Sequence, residues 1–114
     1  DHKVVYAWKP MAKEAKIPGG MFVFTKDVAG QLHMMSFVPR KPQDPDSTSM
    51  IGFPMNVERH GQKLRWHSAL HGQEVVTDAV IEDGKIIGVT RVFRKGSEPF
   101  RYTWVALPTA KETL

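Results

Sequence analysis

Short runs of apolar and β-branched residues alternate with glycine-centred turns along most of this chain. Gly30, Gly61 and Gly84 each separate two such runs. Glycine supplies the positive φ that tight turns need, and the pair Asp83-Gly84 is a preferred two-residue hairpin loop. The pattern therefore predicts a series of β-hairpins.

Eight strand-like runs follow from this pattern. They cover residues 4–8, 21–25, 31–38, 50–58, 63–70, 74–81, 85–93 and 99–107. Residues 11–16 have a helix-forming composition, residues 39–49 predict a loop, and Pro54 predicts a bulge or bend in the fourth strand. Consecutive hairpins indicate an all-β, antiparallel up-and-down meander.

Closing such a meander into a barrel removes the exposed sheet edges. Eight strands form a barrel whose interior is either filled by side chains or holds one small ligand. We therefore predict a closed or nearly closed barrel, with a two-sheet sandwich as the all-β alternative. The length of 114 residues predicts a single domain spanning residues 1–114.

Composition narrows the function classes. The chain has no cysteine, which excludes disulfides, thiolate nucleophiles and cysteine metal sites. No apolar run of about 18 residues occurs, so we expect no membrane span. The first residue is Asp1, which indicates either a processed export signal or a trimmed chain; the compartment stays open, with a secreted or periplasmic location favoured.

The net charge is +4. The densest basic group comprises Arg91, Arg94, Lys95 and Arg101, around one predicted turn. Few aromatic residues accompany it and no nucleic-acid-binding signature appears, so we expect no nucleic-acid partner. A phosphate-binding loop and a dinucleotide fingerprint are both missing from the sequence, and we expect no cofactor.

The C-terminal half resembles a known family. Residues 75–89 comprise a strand, the acidic-glycine turn Asp83-Gly84 and an Ile-x-Gly strand, and Gly96 precedes an aromatic strand from Phe100 to Trp104. This succession resembles the closing strands of small bacterial lipocalin-like (calycin) domains. The resemblance implies a barrel with a mouth, often for a small apolar ligand, and implies no catalytic residue.

Alternation along the strands assigns the aromatic residues to the interior. Trp66 falls on the apolar face of the fifth strand, and Phe100, Tyr102 and Trp104 share the aromatic face of the eighth. These four residues form either a packed core or the lining of a ligand cavity. Met34 is added to the ligand-binding candidates because methionine adapts to varied apolar partners, although a dimer contact is an alternative use.

Three residues are candidates for acid/base chemistry. His33 shares a strand face with Met35, Asp78 lies between two valines on an apolar stripe, and the hydroxyl of Tyr102 needs a hydrogen-bond partner if buried. Counting outward from the Asp83-Gly84 turn places Arg91 diagonally across from Asp78. We expect this pair to form either a structural ion pair or a clamp for an anion.

A metal site is not expected. His67 and His71 are four residues apart, which on a strand separates them by about 13 Å, too far to share one ion.

Three functions remain open from the sequence. The first is a barrel that binds a small apolar or amphipathic molecule. The second is a small barrel enzyme that uses His33, Asp78 and Tyr102 in acid/base chemistry. The third is a structural module that forms a homodimer.

Overall fold

The computed structural model describes residues 2–11, 18–44, 46–70 and 72–114. They form eight strands and, within those ranges, no helix. The strands are β1 (His2–Pro10), β2 (Gly20–Lys26), β3 (Leu32–Pro39), β4 (Met50–His60), β5 (Lys63–Leu70), β6 (Gln73–Glu82), β7 (Lys85–Arg94) and β8 (Phe100–Pro108). Every predicted strand is present, with bounds that differ by at most two residues.

Each strand pairs antiparallel with the next, and β8 pairs with β1 to close the barrel. The predicted all-β meander and its closure are confirmed, and the two-sheet sandwich is not formed. The helical segment expected at residues 11–16 lies almost wholly outside the described residues.

The hairpin turns form where the glycines predict them. Asp83 and Gly84 have φ values of 52° and 78°, as a two-residue turn with left-handed central residues requires. Gly61, at φ 65°, begins the two-residue connection between β4 and β5.

Pro54 does not produce the expected bulge. It pairs with Met35 in an unbroken register between β3 and β4. The pairing with β3 ends at Met55, and the pairing with β5 begins at Asn56. The strand thus accommodates its proline just before it changes partners, on the outer face, where Pro54 is exposed.

The barrel has two different ends. The tail end holds the three short turns after β2, β4 and β6, together with residues 109–114. At the loop end β1, β3, β5 and β7 finish and β2, β4, β6 and β8 begin. Leu114 packs against the core at the tail end, where its backbone N–H donates to the Tyr6 hydroxyl at 2.9 Å.

Aromatic rings fill the middle of the barrel. Trp66 and Trp104 stack at 5.8 Å between ring centroids, and Phe22 packs against both. Two inward-facing glycines make this packing feasible: Gly20 lies opposite Trp8 and Gly88 lies opposite Trp104 on neighbouring strands. A Cβ atom at Gly88 would lie 2.8 Å from Cε2 of Trp104 and closer still to Cζ2, so the indole occupies the space of the missing side chain.

Candidate functional site at the loop end of the barrel

The inward-facing side chains are packed unequally along the barrel. Towards the tail end, Phe24, Leu64 and Ile86 are 2% exposed or less. Towards the loop end, several inward-facing residues keep part of their surface accessible, six of which are Val38, Phe53, Met55, Ser68, Val75 and Tyr102. We call these six residues the loop-end lining. Partly exposed inward-facing residues are therefore more numerous at the loop end than at the tail end, where Leu32 and Ala79 are the partly exposed ones.

Hydroxyl groups lie below this lining. Thr77 and Thr90 are opposite each other on β6 and β7, and their Oγ1 atoms are 2.9 Å apart. The indole Nε1 of Trp104 donates to Oγ1 of Thr90 at 2.8 Å. Both threonines are buried, so the cluster forms a polar floor within the interior.

Tyr102 joins the hydroxyl floor to the loop-end lining. It lies directly opposite Thr90 on the neighbouring strand. Burial raises the pKa of the Tyr102 phenol, and the nearby Thr90 hydroxyl offsets part of that rise. The phenol therefore stays neutral at ordinary pH and can act both as a hydrogen-bond donor and as an acceptor.

Trp8 carries an unused donor beside Tyr102. Its ring stacks against Phe22 at 5.7 Å and against Tyr102 at 6.0 Å, and it is 4% exposed. The Nε1 atom of Trp8 is buried and finds no hydrogen-bond partner among the residues that the structure describes. A buried N–H without an acceptor is unfavourable by about 1–3 kcal/mol, so an acceptor delivered to this atom would be stabilising.

The residues predicted to bind a ligand occupy different places. Trp66, Trp104 and Met34 are buried in the packed core, at 2%, 1% and 3% exposure. These three residues are therefore part of the packed core. Tyr102 belongs to the loop-end lining, and Arg91 lies on the outer face.

Phe100 lies on the inward side of β8, as predicted, but at the rim rather than in the core. Phe100 is the first residue of β8, is 40% exposed, and lies under the guanidinium of Arg94 at 5.2 Å from the ring centroid. Phe100 is on the same side of β8 as Tyr102 and Trp104, but as the first residue of the strand it lies beyond the buried core. The ring therefore forms part of the rim.

His33 is on the outer face as well. It does share a face with Met35, but the inward face of β3 carries Met34 and Ser36. Its Nε2 atom lies 3.0 Å from a carboxylate oxygen of Asp27. That hydrogen bond, together with the backbone N–H of Gln31, lowers the pKa of Asp27. His33 and Asp27 thus fix the turn after β2.

Asp78 also points outward, so the apolar stripe that it shares with two valines lies on the outside of the barrel. Its side chain is 42% exposed. The predicted pairing with Arg91 is confirmed, since the Arg91 Nη2 atom lies 2.6 Å from Oδ2 of Asp78. His33 and Asp78 therefore lie outside the barrel and Tyr102 inside, and the three acid/base candidates do not converge.

Sequence reasoning missed Arg65, which lies 3.2 Å from the other carboxylate oxygen of Asp78. The two residues are directly opposite on β5 and β6. Counting back from a two-residue connection at positions 71–72 would have placed Arg65 opposite Asp78 from the sequence alone. Sequence reasoning also missed Ser68 and Val75, which lie opposite each other and line the loop end.

No protein-family model and no curated protein matches the chain. Of the resemblance to lipocalin-like domains, the structure supports the eight-stranded closed barrel. Among the described residues, no group of three or more His, Asp and Glu side chains is arranged to hold a metal ion. No helix in the described ranges has the length and apolar character needed to cross a membrane.

Proposed function

We propose that this protein binds one small apolar or amphipathic molecule in the loop-end half of the barrel. The observation that carries the proposal is the unequal filling of the interior. Most inward-facing side chains at the tail end belong to the buried core, against which Leu114 packs, whereas the loop-end lining keeps accessible surface above a floor of hydroxyl groups. Ligand sites in β-barrels are typically found at such mouths.

The chemistry of the lining favours a ligand whose inner part is uncharged. In the loop-end lining the one titratable side chain is Tyr102, a neutral phenol at ordinary pH, and the Arg94 guanidinium lies at the rim over Phe100. Burying a charge without a partner is strongly unfavourable, so a charged group has no favourable position inside. The hydroxyl of Tyr102 and the indole N–H of Trp8 instead suit a neutral acceptor such as a carbonyl or ether oxygen.

A binding function is better supported than an acid/base enzyme. General acid/base catalysis needs the acid and the base within hydrogen-bond reach of the same substrate. His33 and Asp78 face solvent on different strands, on the opposite side of the barrel wall from Tyr102. A substrate in the loop-end half would meet hydroxyls and an indole, which orient a molecule but hold no general base.

The proposal is tested with the neutral fluorescent probe N-phenyl-1-naphthylamine and two adjacent variants. Val75 faces inward and is partly exposed, whereas its neighbour Val76 faces outward. Val75→Lys places an ammonium group in the loop-end lining and should weaken probe binding by about tenfold, equivalent to about 1.4 kcal/mol. Val76→Lys adds the same charge on the outside and should leave binding unchanged.

Equal affinities for the two variants and the native protein would contradict the proposal, as would the absence of probe fluorescence with the native protein. Far-UV circular dichroism establishes that each variant keeps the β fold. Should Val75→Lys fail to fold, Val75→Thr, which is close in shape and adds one hydroxyl, provides a milder change at the same position.

A further inference from the structure

Two arginines lie directly opposite each other on the outer face. Arg91 on β7 pairs in register with Arg101 on β8, and both are exposed. Like charges at opposed positions of an antiparallel pair are destabilising. Arg91 is partly compensated by Asp78 at 2.6 Å, whereas Arg101 forms no ion pair with the residues that the structure describes. An anion placed between the two guanidinium groups would relieve this repulsion.

An apolar column continues from these arginines towards the tail end. Two residues further along the strands, Val89 pairs with Thr103, and after two more, Ile87 pairs with Val105. Val80 on β6 lies opposite Ile87 and widens the column. A groove of about 650 Å³ covers part of this surface: its lining includes Val80, Ile87, Val89 and Thr103, and the two arginines lie beyond its end.

Two lysines add positive charge near the groove, closer to the tail end of the barrel. Lys63 lines the groove opposite Val80, and Lys9 lies outside it, opposite Val105 on the neighbouring strand. Asp78 is the single carboxylate residue that lines the groove, and Arg65 and Arg91 both contact it already. A second copy of the chain docked face to face would bring these cations together, so self-association is unfavourable here.

We propose that the outer face of β7 and β8 binds a single anionic amphiphile, with a sulfate or carboxylate head group between Arg91 and Arg101 and an alkyl chain along Val89 and Ile87. Guanidinium groups form strong charge-assisted hydrogen bonds with such head groups. The four-residue step from Arg91 to Ile87 spans about 13 Å along the strand, which suits one medium-length alkyl chain. This site is separate from the loop-end half of the barrel.

The test is calorimetric titration with decyl sulfate below its micelle concentration. Decyl maltoside, with the same chain and a neutral head, is the comparison ligand. Decyl sulfate should bind the native protein and decyl maltoside should bind much more weakly. Arg101→Gln should weaken decyl sulfate binding by about fivefold or more, since one of two charge-assisted partners is lost.

The matched control is Arg94→Gln. It removes the same charge from the end of β7, where the guanidinium lies over Phe100 rather than beside the apolar column. Its decyl sulfate affinity should stay within about twofold of the native value, as expected for a remote surface charge screened by salt. Equal losses in Arg101→Gln and Arg94→Gln would overturn the proposal, as would equal binding of the two detergents.

Amide chemical shifts locate the bound detergent independently of the proposed function. Decyl sulfate should shift the amides of residues 87–91 and 101–105 and leave those of Ser36, Phe53 and Ser68 unchanged. The reverse pattern would place the detergent inside the barrel. That result would overturn the outer site while supporting binding at the loop end, so the two proposals fail separately.

Discussion

Replacing Gly88 by alanine tests the central packing of the barrel. Gly88 is buried on the inward face of β7, directly opposite Trp104. A Cβ atom there would overlap Cζ2 and lie 2.8 Å from Cε2 of the indole, which is itself fixed by its hydrogen bond to Thr90. Over-packing of this kind typically destabilises a protein by about 1–3 kcal/mol.

Part of that loss is offset because alanine reduces the conformational entropy of the unfolded chain, by about 0.4–1 kcal/mol. We therefore expect a net destabilisation of about 1–2 kcal/mol, or roughly 4–8 °C in the thermal midpoint of a domain of this size. The near-ultraviolet circular dichroism of the tryptophans should change as well. Thermal unfolding of the native protein and the variant measures both effects.

Gly52→Ala is the control for this experiment. Its added Cβ would lie 2.7 Å from Cε1 of Phe37 and 3.1 Å from Cε of Met35, the far ends of side chains on the outer face. These atoms can move, so the free energy of unfolding should change by less than about 0.5 kcal/mol. An unchanged or raised thermal midpoint in Gly88→Ala would refute the argument that the indole of Trp104 needs the space left by the missing side chain of Gly88.

Three further predictions concern charge, pH and the turn. The Asp78→Asn and Arg91→Gln double-mutant cycle should give a coupling of about 0.2–1 kcal/mol, because both side chains are more than 40% exposed; a coupling above about 3 kcal/mol would indicate a buried pair. Because burial raises the pKa of Tyr102, stability should fall as pH rises from the unfolded tyrosine value of about 10 towards the folded value. Urea midpoints of Tyr102→Phe should lack this slope, and an identical slope would show that Tyr102 titrates normally. Gly84→Val should cost about 1–2 kcal/mol in chemical denaturation from backbone strain alone, since φ is 78° and no atom lies within 4 Å of the added Cβ; an unchanged midpoint would contradict this.

Local patterns in the sequence are sufficient to predict the strands and their order. Glycines at positive φ end the hairpins, and alternation identifies which side chains share a face. Counting from the Asp83-Gly84 turn correctly placed Arg91 diagonally from Asp78. These features depend only on neighbouring residues or on one tight turn, so the sequence carries them directly.

The candidate site was less predictable because alternation does not say which face is inward when both faces carry apolar residues. Asp78 sits between valines yet lies outside the barrel, and Phe100 has inward alternation yet lies at the rim. The matching of Gly88 to Trp104 and of Gly20 to Trp8 depends on registers between strands. The unequal filling of the two ends depends on barrel closure and on the position of Leu114, which no local pattern encodes.

The most direct test of binding at the loop end is an amide-resolved titration of the native protein with N-phenyl-1-naphthylamine. The proposal predicts that the shifts concentrate at Ser36, Phe53, Ser68, Val75 and Tyr102, and that the turns of the tail end stay unchanged. Shifts confined to the outer strands or the tail end, or no shifts at saturating probe, would contradict a ligand site in the loop-end half of the barrel.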